Sequence, residues 1–349
     1  MAAVPAVLVR ARELVEPALV AAVDRLCDEL RLPARYHFGW VEADGSPSTA
    51  GSGKGLRPAL AVLSAEAVGA AAAVAVPGAA AVELVHNFSL VHDDIIDGDV
   101  ERRHRPTVWA VFGVDDAVIS GDALHNLAFQ VLLGQPDSHW GGQSGEEPSV
   151  EQVRATTRLV VATTAMIAGQ AADMAFNDLP EVDLAACLAM EADKTGALLG
   201  YSASVGAVLA GAPADQVDAL ETYGRELGLA FQAVDDVLGI WGDPAVTGKA
   251  AGNDLRERKK SMPVALVLSG GGTAAEELRA IYAVDGDLTD DQVARATVVI
   301  EAAGGRDGTV AEARRRLGAA LGAIDGADLD SGAVDELTGL ARFVAERDF

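Results

Sequence analysis

The 349-residue chain is poor in cysteine, in basic residues and in long, strongly apolar runs. Its two cysteines, Cys27 and Cys187, are too few for a disulfide framework or a cysteine-rich metal site. Both lie in apolar helical patterns, which predicts buried thiols in a reducing cytosol. Only 27 Lys and Arg residues stand against 52 Asp and Glu, a net charge of −25. This balance argues against nucleic acid as a partner, because phosphate backbones bind basic surfaces.

The composition gives no sign of export or of a membrane span. Arg10, Arg12 and Glu13 interrupt the apolar stretch near the N-terminus, so a signal-peptide core is missing. The longest uncharged runs, 67–82 and 195–214, are rich in Ala and Gly, whereas spanning a bilayer takes about 20 strongly apolar residues. The sequence therefore predicts a cytoplasmic protein with no transmembrane segment.

Several common catalytic motifs are missing as well. The chain has no P-loop, no GxGxxG after a strand, no serine nucleophile elbow and no zinc-ligand spacing. Nucleophilic catalysis therefore has no strong candidate.

Helical periodicity dominates what is present. Apolar residues recur at spacings of three and four, alanine is abundant, and alternating strand patterns are scarce. This predicts an all-α bundle, a single domain over residues 1–349, with a flexible Gly-rich loop at 134–148. The predicted helices include 8–30 (with a break at Pro17), 56–73, 79–97, 115–133, 150–176, 184–210, 214–240, 262–268 and 310–324, with further breaks at Pro33 and Pro77.

An acidic cluster lies in the apolar helix predicted over 79–97. Asp93 and Asp97 are four residues apart and share a helix face, with Asp94 one step around it. Burying three neighbouring carboxylates is costly unless a cation binds there. Mg²⁺ fits, because it takes one or two carboxylates and shares the rest of its octahedron with water and phosphate oxygens.

A second acidic cluster, Asp235 and Asp236, lies in the apolar helix predicted over 214–240, and Asp243 follows near its C-terminal end. Either cluster alone could be a solvated helix face. Two clusters, each flanked by apolar residues, favour cation binding.

The few basic residues are concentrated near these clusters. In a chain this acidic, their distribution predicts anionic groups held between metal ions and Arg or Lys side chains. Two plainer interpretations stay open: Arg102 and Arg103 could pair with nearby acids, and Lys259 and Lys260 could lie in a solvated loop. The residues are Lys54 and Arg57 in GKGLRP, Arg102, Arg103 and Arg105 after the first cluster, Lys194 in KTG, and Lys249, Lys259 and Lys260 after the second cluster.

These pieces, in this order, resemble the trans-isoprenyl diphosphate synthases, the polyprenyl synthetase family, from about residue 50 to residue 265. GKGLRP is similar to the family's GKxxRP element, and HNFSLVHDDIID followed by RRHRPT is similar to its first Asp-rich motif and Arg pair. FQAVDDVLGIWGD is similar to the second motif. The remaining pieces are GD at Gly121-Asp122, GQAAD from Gly169 to Asp173, KTG at Lys194, GK at Gly248-Lys249 and ND at Asn253-Asp254.

The resemblance implies an isoprenoid synthase-type helical bundle around a central cavity, usually as a homodimer. It implies a prenyltransferase similar to geranylgeranyl or farnesyl diphosphate synthases. Its reaction would be the Mg²⁺-dependent, head-to-tail condensation of isopentenyl diphosphate with an allylic diphosphate (dimethylallyl, geranyl or farnesyl). Inorganic diphosphate would be released, and three Mg²⁺ per active site would be expected.

The resemblance also assigns roles to matching positions. Lys259 and Gln232 become further substrate-binding candidates. The implied roles are Mg²⁺ binding by Asp93, Asp94 and Asp97 on one wall and by Asp235 and Asp236 on the opposite wall, allylic diphosphate binding by Arg102, Lys194 and Lys249, isopentenyl diphosphate binding by Lys54, Arg57, His86 and Arg103, and support by Gln170, Asp173, Gln232 and Phe231.

The second motif departs from the family pattern. It usually reads DDxxD, and here Gly239 takes the third place, which removes an acid one turn beyond Asp235. Asp243, two turns beyond Asp235, can replace it only if the helix continues past Gly242. The loss of this acid predicts a sluggish or altered enzyme.

Product length in enzymes resembling this one depends on bulk below the first Asp motif. Phe88 and Ser89 lie five and four residues before Asp93, and five residues span about 7.5 Å of helix. An aromatic residue at this place, with no insertion between Asp94 and Asp97, predicts a short or medium product. We expect C20 geranylgeranyl diphosphate, with C15 or C25 next; alternatively, Phe88 is simply a packing residue.

Two other functions fit the same pattern. A class I terpene cyclase on the same fold ionises one diphosphate and needs no isopentenyl site, so it leaves the residues of that site without a role. A catalytically impaired partner or regulatory subunit would explain Gly239.

Overall fold

The structure, a computed structural model, describes residues 5–48, 55–134, 147–177, 179–243 and 252–345. Lys54, Lys249 and residues 135–146 of the loop predicted over 134–148 lie outside the described residues. Within the described ranges the chain is almost entirely helical, which confirms the all-α prediction. The helices are α1 (Ala6–Val23), α2 (Asp28–His37), α3 (Leu56–Ala67), a 3-10 turn (Ala72–Ala75), α4 (Val76–Ile96), α5 (Val108–Phe112), α6 (Val114–Leu132), α7 (Val150–Phe176), α8 (Leu184–Glu191), a π turn (Ala192–Gly196), α9 (Ala197–Leu209), α10 (Ala214–Trp241), α11 (Asn253–Arg256), α12 (Met262–Gly270), α13 (Gly272–Tyr282), α14 (Asp290–Ala302), α15 (Gly305–Ile324) and α16 (Ser331–Ala345).

The chain divides into two compact units. Unit 1 comprises Met1–Val161, Tyr201–Glu221 and Gly326–Leu337, and unit 2 comprises Ala162–Gly200, Thr222–Asp325 and Thr338–Phe349. The first acidic cluster belongs to unit 1 and the second to unit 2. The single domain over 1–349 stays a prediction.

In unit 1, α4 lies along α6, and a glycine sets their approach. A Cβ on Gly121 of α6 would lie 2.2 Å from Nε2 of His92 on α4, so only glycine fits without displacing that ring. The same Nε2 lies 2.9 Å from the carbonyl oxygen of Val118. The helix turn that carries Asp93 is thereby fixed against α6.

In unit 2, the middle of α10 is buried in an apolar cluster. Ala233 and Val234 pack there with Cys187 of α8 and with Met262 and Ala265 of α12. Burial of these residues excludes water from one side of the helix turn that carries the second acidic cluster.

Three prolines predicted as breaks lie inside helices instead. Pro17 is in the interior of α1 and Pro33 in the interior of α2. Pro77 is in the first turn of α4, where its missing N–H has no intrahelical partner to lose. The break expected at Pro17 falls at residues 24–27, between α1 and α2. Cys27, expected to be buried, lies in that break and is exposed; Cys187 is buried as predicted.

Two helical stretches are long and apolar enough to cross a membrane by length and composition alone, Ala72–Ile96 and Val150–Phe176. Core helices of water-soluble proteins pass the same test. The first stretch has 56% of its most apolar window buried inside the protein, and the second 28%. The second stretch, α7, therefore exposes several apolar side chains: Val150, Val153, Val160, Val161, Ile167 and Met174.

Candidate active site

The first acidic cluster sits at the C-terminal end of α4. Asp94 is only 1% exposed, and its Oδ1 accepts a hydrogen bond from Arg102 Nε at 2.6 Å. Burial raises the pKa of Asp94, and the Arg102 guanidinium acts against that rise. Asp97, predicted inside the helix, follows its last residue, Ile96; its N–H still donates to the Asp93 carbonyl at 2.8 Å. The cluster thus combines one buried carboxylate with two more accessible ones.

A short hairpin, β1 (Glu101–Arg102) and β2 (Arg105–Pro106), positions the two arginines after this cluster. Arg103 and His104 form its turn with φ values of 54° and 62°, a conformation unusual outside glycine. The Asp99 carbonyl, which accepts hydrogen bonds from Thr107 Oγ1 and Trp109 Nε1, both at 2.9 Å, anchors the hairpin base. Arg102 donates to Asp94, whereas Arg103 interacts chiefly with Glu83.

The hairpin and α2 enclose a cavity of about 280 Å³ beside Asp94. Its lining combines several basic groups with one buried carboxylate, so it suits an anion accompanied by a cation. The lining residues are Tyr36, His37, Gly39, Asp94, Arg102, Arg103, His104, Arg105, Pro106, Thr107 and Val108.

A second basic group is assembled from α3, α4 and the hairpin. Arg57 and Arg103 both interact electrostatically with Glu83. Burial raises the pKa of Glu83, and the nearby Arg57 partly offsets that rise. Glu83 Oε1 also accepts a hydrogen bond from Asn87 Nδ2 at 3.3 Å. The carboxylate holds two guanidinium groups together that would otherwise repel each other.

Two histidines beside this group are held neutral. Burial, with the charges of Arg57 and Arg103, lowers the pKa of His86 well below its usual value. Burial together with Arg103 and Arg102 lowers the pKa of His37 to about 3, and its Nε2 lies 3.1 Å from Asn87 Oδ1. A neutral imidazole carries one N–H, so each ring can donate a single hydrogen bond and accept another.

The second acidic cluster is held by a hydrogen-bonded chain. Asp236 is 5% exposed; its Oδ1 accepts from Gln232 Nε2 at 2.8 Å and its Oδ2 from the Met262 N–H at 2.7 Å. Gln232 in turn accepts from Thr195 Oγ1 at 3.0 Å. Burial raises the pKa of Asp236. Glu191, also buried, makes a further side-chain hydrogen bond with Asp236, whereas Asp235 is only partly buried.

The KTG segment forms the π turn between α8 and α9, inside the helix predicted over 184–210. Lys194 Nζ pairs with Asp173 Oδ2 at 2.5 Å. A Cβ on Gly169 would lie 2.3 Å from the Lys194 backbone nitrogen, so the GQAAD glycine lets the two segments touch. Gln170 and Phe231 are half-buried within unit 2. Lys259 pairs with Glu257 at 2.9 Å.

Phe88 stands in a cluster of rings. Its centroid lies 5.0 Å from that of His92 and 4.9 Å from that of His125 on α6, whose ring contacts Phe129 at 5.0 Å. Ser89 Oγ donates to the His86 carbonyl at 2.8 Å and so turns back onto its own helix. The aromatic bulk five residues before Asp93 is therefore braced from α6.

Within unit 1, hydrogen bonds and charge interactions link the predicted residues Arg57, His86, Asp94, Arg102 and Arg103. They also involve three residues that the sequence did not single out: His37, Glu83 and Asn87. Glu83 lies three residues before His86 on α4, and Asn87 lies one turn after Glu83, whose carboxylate accepts its hydrogen bond; this helical spacing could have found both. His37 lies on α2, and no local pattern links it to α4.

Mg²⁺ fits the first cluster. Asp94 Oδ2 is buried without a hydrogen-bond partner among the described residues, so an anionic oxygen there is open to a cation. In the part of the chain that the structure describes, no three His, Cys, Asp or Glu side chains form a ready metal site. Mg²⁺ takes one or two carboxylates and completes its shell with water and phosphate oxygens.

Comparison with known proteins agrees with these features. The profile of the family described as Polyprenyl synthetase matches residues 40–300. A (2E,6E)-farnesyl diphosphate synthase of Mycobacterium tuberculosis is 45% identical over 98% of this chain and 92% of its own length. A geranylgeranyl diphosphate synthase of the same organism is 42% identical over 98% of this chain and 94% of its own length.

A solved structure gives the same answer for the fold. The crystal structure of a polyprenyl synthetase from Streptomyces coelicolor A3(2) matches with a TM-score of 0.89 at 49% sequence identity, covering 98% of this chain and 99% of that one. The predicted resemblance is therefore confirmed. The chain belongs to the polyprenyl synthetase family and is a prenyltransferase that elongates prenyl chains.

Proposed function

We propose that the enzyme condenses isopentenyl diphosphate head to tail with an allylic diphosphate in the presence of Mg²⁺, and that its main product is C20 geranylgeranyl diphosphate. One observation carries the proposal. Unit 1 holds two adjoining sets of basic residues, Arg102 beside Asp94 and Arg57 with Arg103 around Glu83, and Arg103 also interacts electrostatically with Arg102 and Asp94. Elongation requires two diphosphates to be held at once, whereas a cyclase requires one.

The first group suits the allylic diphosphate. Asp93, Asp94 and Asp97 would bind Mg²⁺, which supplies positive charge to the leaving diphosphate. Arg102, oriented by Asp94, adds its own charge there. The bond between the allylic carbon and oxygen breaks, and its electron pair leaves with the diphosphate.

The second group suits isopentenyl diphosphate. Arg57 and Arg103 bind its phosphate oxygens, Lys54 joins them, and neutral His86 donates one hydrogen bond. The double bond of the held molecule attacks the allylic cation, and the proton that is then lost passes to the released diphosphate. The apolar residues around the acidic cluster keep water from the cation.

In unit 2, Asp235 and Asp236 would bind the remaining Mg²⁺, three ions in all. Lys194, Lys249 and Lys259 would add positive charge to the diphosphates. Gln232 and Asp173 hold Asp236 and Lys194 respectively, as their hydrogen bonds indicate. Gln170 and Phe231 complete the surroundings. These roles come from the family resemblance, and the hydrogen bonds support them.

Chromatography of products made from labelled isopentenyl diphosphate with each primer in turn tests the function. We expect prenyl diphosphates with dimethylallyl, geranyl or farnesyl primers, and C20 as the main product. Hydrocarbon release from geranylgeranyl diphosphate alone would instead favour the cyclase. No product and no diphosphate release with any primer would favour a partner or regulatory subunit.

Product length gives a sharper prediction. The relatives at 45% and 42% identity are named for different products, so identity does not decide it. Replacing Phe88 by alanine removes the ring braced by His92 and His125, and we expect the main product to lengthen by at least one C5 unit. Phe129→Ala, on the far side of His125, is the control for general loosening. An unchanged product distribution for Phe88→Ala would mean that the ring only packs the core.

We further propose a homodimer in the cytoplasm. Ile119 on α6 and Val161 on α7 are 53% and 65% exposed, so unit 1 carries apolar side chains that a second copy could cover. We expect light scattering to give a mass about twice the 35.8 kDa of one chain, and Ile119→Glu with Val161→Glu to halve it. Val298→Glu, on α14 and 54% exposed, should leave the mass unchanged. A wild-type mass of one chain would contradict the dimer.

A further inference from the structure

The second acidic motif has Gly239 where the family usually has an acid, and the carboxylate of Asp254 lies beside this glycine. An ideal Cβ on Gly239 would lie 2.0 Å from Asp254 Oδ2 and 2.5 Å from its Cγ. The Asp254 carboxylate therefore occupies the space that a side chain at position 239 would enter. A residue at 239 is four positions beyond Asp235, so this carboxylate lies on the face of α10 that carries Asp235, one turn further on.

The local fold holds Asp254 in this place. The N–H of Gly252 donates to the Ile240 carbonyl of α10 at 3.1 Å, and Gly252, with φ of 72°, is the N-cap residue that precedes α11. Leu255, fully buried, packs with Ile240 in one apolar cluster. Asp254 thus sits on a short helix fastened to the end of α10 by a backbone hydrogen bond on one side and core packing on the other.

Asp243, the other candidate, is differently placed. The helix ends at Trp241, so Asp243 does not extend the face of Asp235 by a further turn. It is also exposed, whereas Asp254 is partly buried. The condition under which Asp243 would replace the missing acid is not met.

We propose that Asp254 supplies the third carboxylate of the second metal-binding motif in place of the residue absent at Gly239. The two positions then form a matched pair: glycine leaves the space, and aspartate fills it from α11. Asp235 and Asp254 provide carboxylate oxygens on one face, which suits a hard divalent cation whose shell is completed by water and phosphate oxygens. The inference rests on the proposed function only in taking this motif to bind Mg²⁺.

Metal binding can be measured without turnover. Mn²⁺, which prefers the same oxygen ligands, is titrated into the protein with inorganic diphosphate, and free Mn²⁺ is followed by electron paramagnetic resonance. We expect Asp254→Asn to raise the Kd of the weakest site by about tenfold or more. Asp243→Asn is the matched control and should change it less than about twofold.

Two further variants separate metal binding from folding. Gly239→Ala keeps every carboxylate, but the new Cβ collides with the carboxylate of Asp254 and displaces it. This variant should therefore weaken Mn²⁺ binding as Asp254→Asn does. Gly239→Asp combined with Asp254→Ala returns the carboxylate to α10 and should recover the Kd to within about threefold. Thermal unfolding of each variant identifies misfolding; if Asp254→Asn is misfolded, the Gly239→Ala result decides.

Unchanged Mn²⁺ affinity in Asp254→Asn or in Gly239→Ala would overturn the proposal, as would an equal loss in Asp243→Asn. Product formation by the wild-type enzyme is scored separately. A wild-type enzyme that makes prenyl diphosphates while Asp254→Asn binds Mn²⁺ normally refutes this inference alone. A wild-type protein that makes no product refutes the proposed function, and the Mn²⁺ affinities of the variants can still be compared.

Discussion

Replacing Asp94 by asparagine is expected to lower kcat by about 10²–10³-fold while leaving the protein at least as stable as the wild type. The loss of rate follows because the substitution removes the buried negative charge proposed to hold Mg²⁺ against the leaving diphosphate. The stability follows because asparagine keeps an oxygen for the hydrogen bond from Arg102 and no longer buries a charge. If Asp94 had only a structural role, Asp94→Asn would lower both kcat and the free energy of unfolding.

The pH dependence has a defined sign. Burial raises the folded-state pKa of Asp94, so its ionised form weakens folding at neutral pH, and that penalty disappears as pH falls through the folded pKa. The advantage of Asp94→Asn in unfolding free energy should therefore be largest near pH 7 and shrink on acidification. Denaturant unfolding at several pH values, beside steady-state kinetics at fixed Mg²⁺, measures both effects.

Asp99→Asn is the matched control, since Asp99 Oδ2 lies 4.0 Å from the same arginine but outside the proposed metal-binding set. Its main structural contact is made by its backbone carbonyl, which the substitution keeps. A loss of kcat in Asp99→Asn equal to that in Asp94→Asn would show that Arg102 orientation, and not metal binding, governs the rate.

Helical periodicity predicted α7 and α10 almost to the residue because their apolar faces are long and uninterrupted. It misplaced the break in the first segment because proline was taken to end a helix. In α1, the buried Val15 and Leu19 flank Pro17, and their packing outweighs the lost backbone hydrogen bond. Local propensity is a weak guide where burial is large.

The chemistry-bearing residues were predictable where they are consecutive or one helical turn apart. The hairpin was not, because its turn is Arg103-His104 and not the Asn-Gly or Asp-Gly that marks such turns in a sequence. Asp254 was recognisable as part of a motif, but its approach to Gly239 depends on how α11 returns to α10. The number of residues between Gly239 and Asp254 does not show that the chain folds back and brings them into contact.

Replacing Arg57 by methionine is expected to raise the KM for isopentenyl diphosphate by about 10²-fold, with a smaller effect on the KM for the allylic primer. Two charge-assisted hydrogen bonds to a phosphate are worth about 3 kcal/mol or more, and each 1.4 kcal/mol is a tenfold change in affinity. The two diphosphates are proposed to bind different arginines, so the effect should fall on one substrate. Initial rates with each substrate varied in turn measure it.

Glu83 makes this prediction separable from a folding defect. Without Arg57, the Glu83 carboxylate keeps Arg103 and Asn87 among the described residues, and we expect the unfolding free energy to fall by on the order of 3 kcal/mol. The double variant Arg57→Met with Glu83→Leu removes the stranded charge and should recover most of that stability, because an apolar pair of similar volume can replace a buried ion pair. Its KM for isopentenyl diphosphate should stay high.

Arg10→Met serves as the control for loss of an arginine. Arg10 pairs with Glu66 on the exposed surface of the same unit, so its loss should alter stability by less than about 1 kcal/mol and leave both KM values unchanged. If restoring stability in the double variant also restored the KM, Arg57 would be a structural partner of Glu83 and not a ligand of the second diphosphate. The case for elongation over cyclisation would then lose its main support, since that case depends on a second diphosphate site.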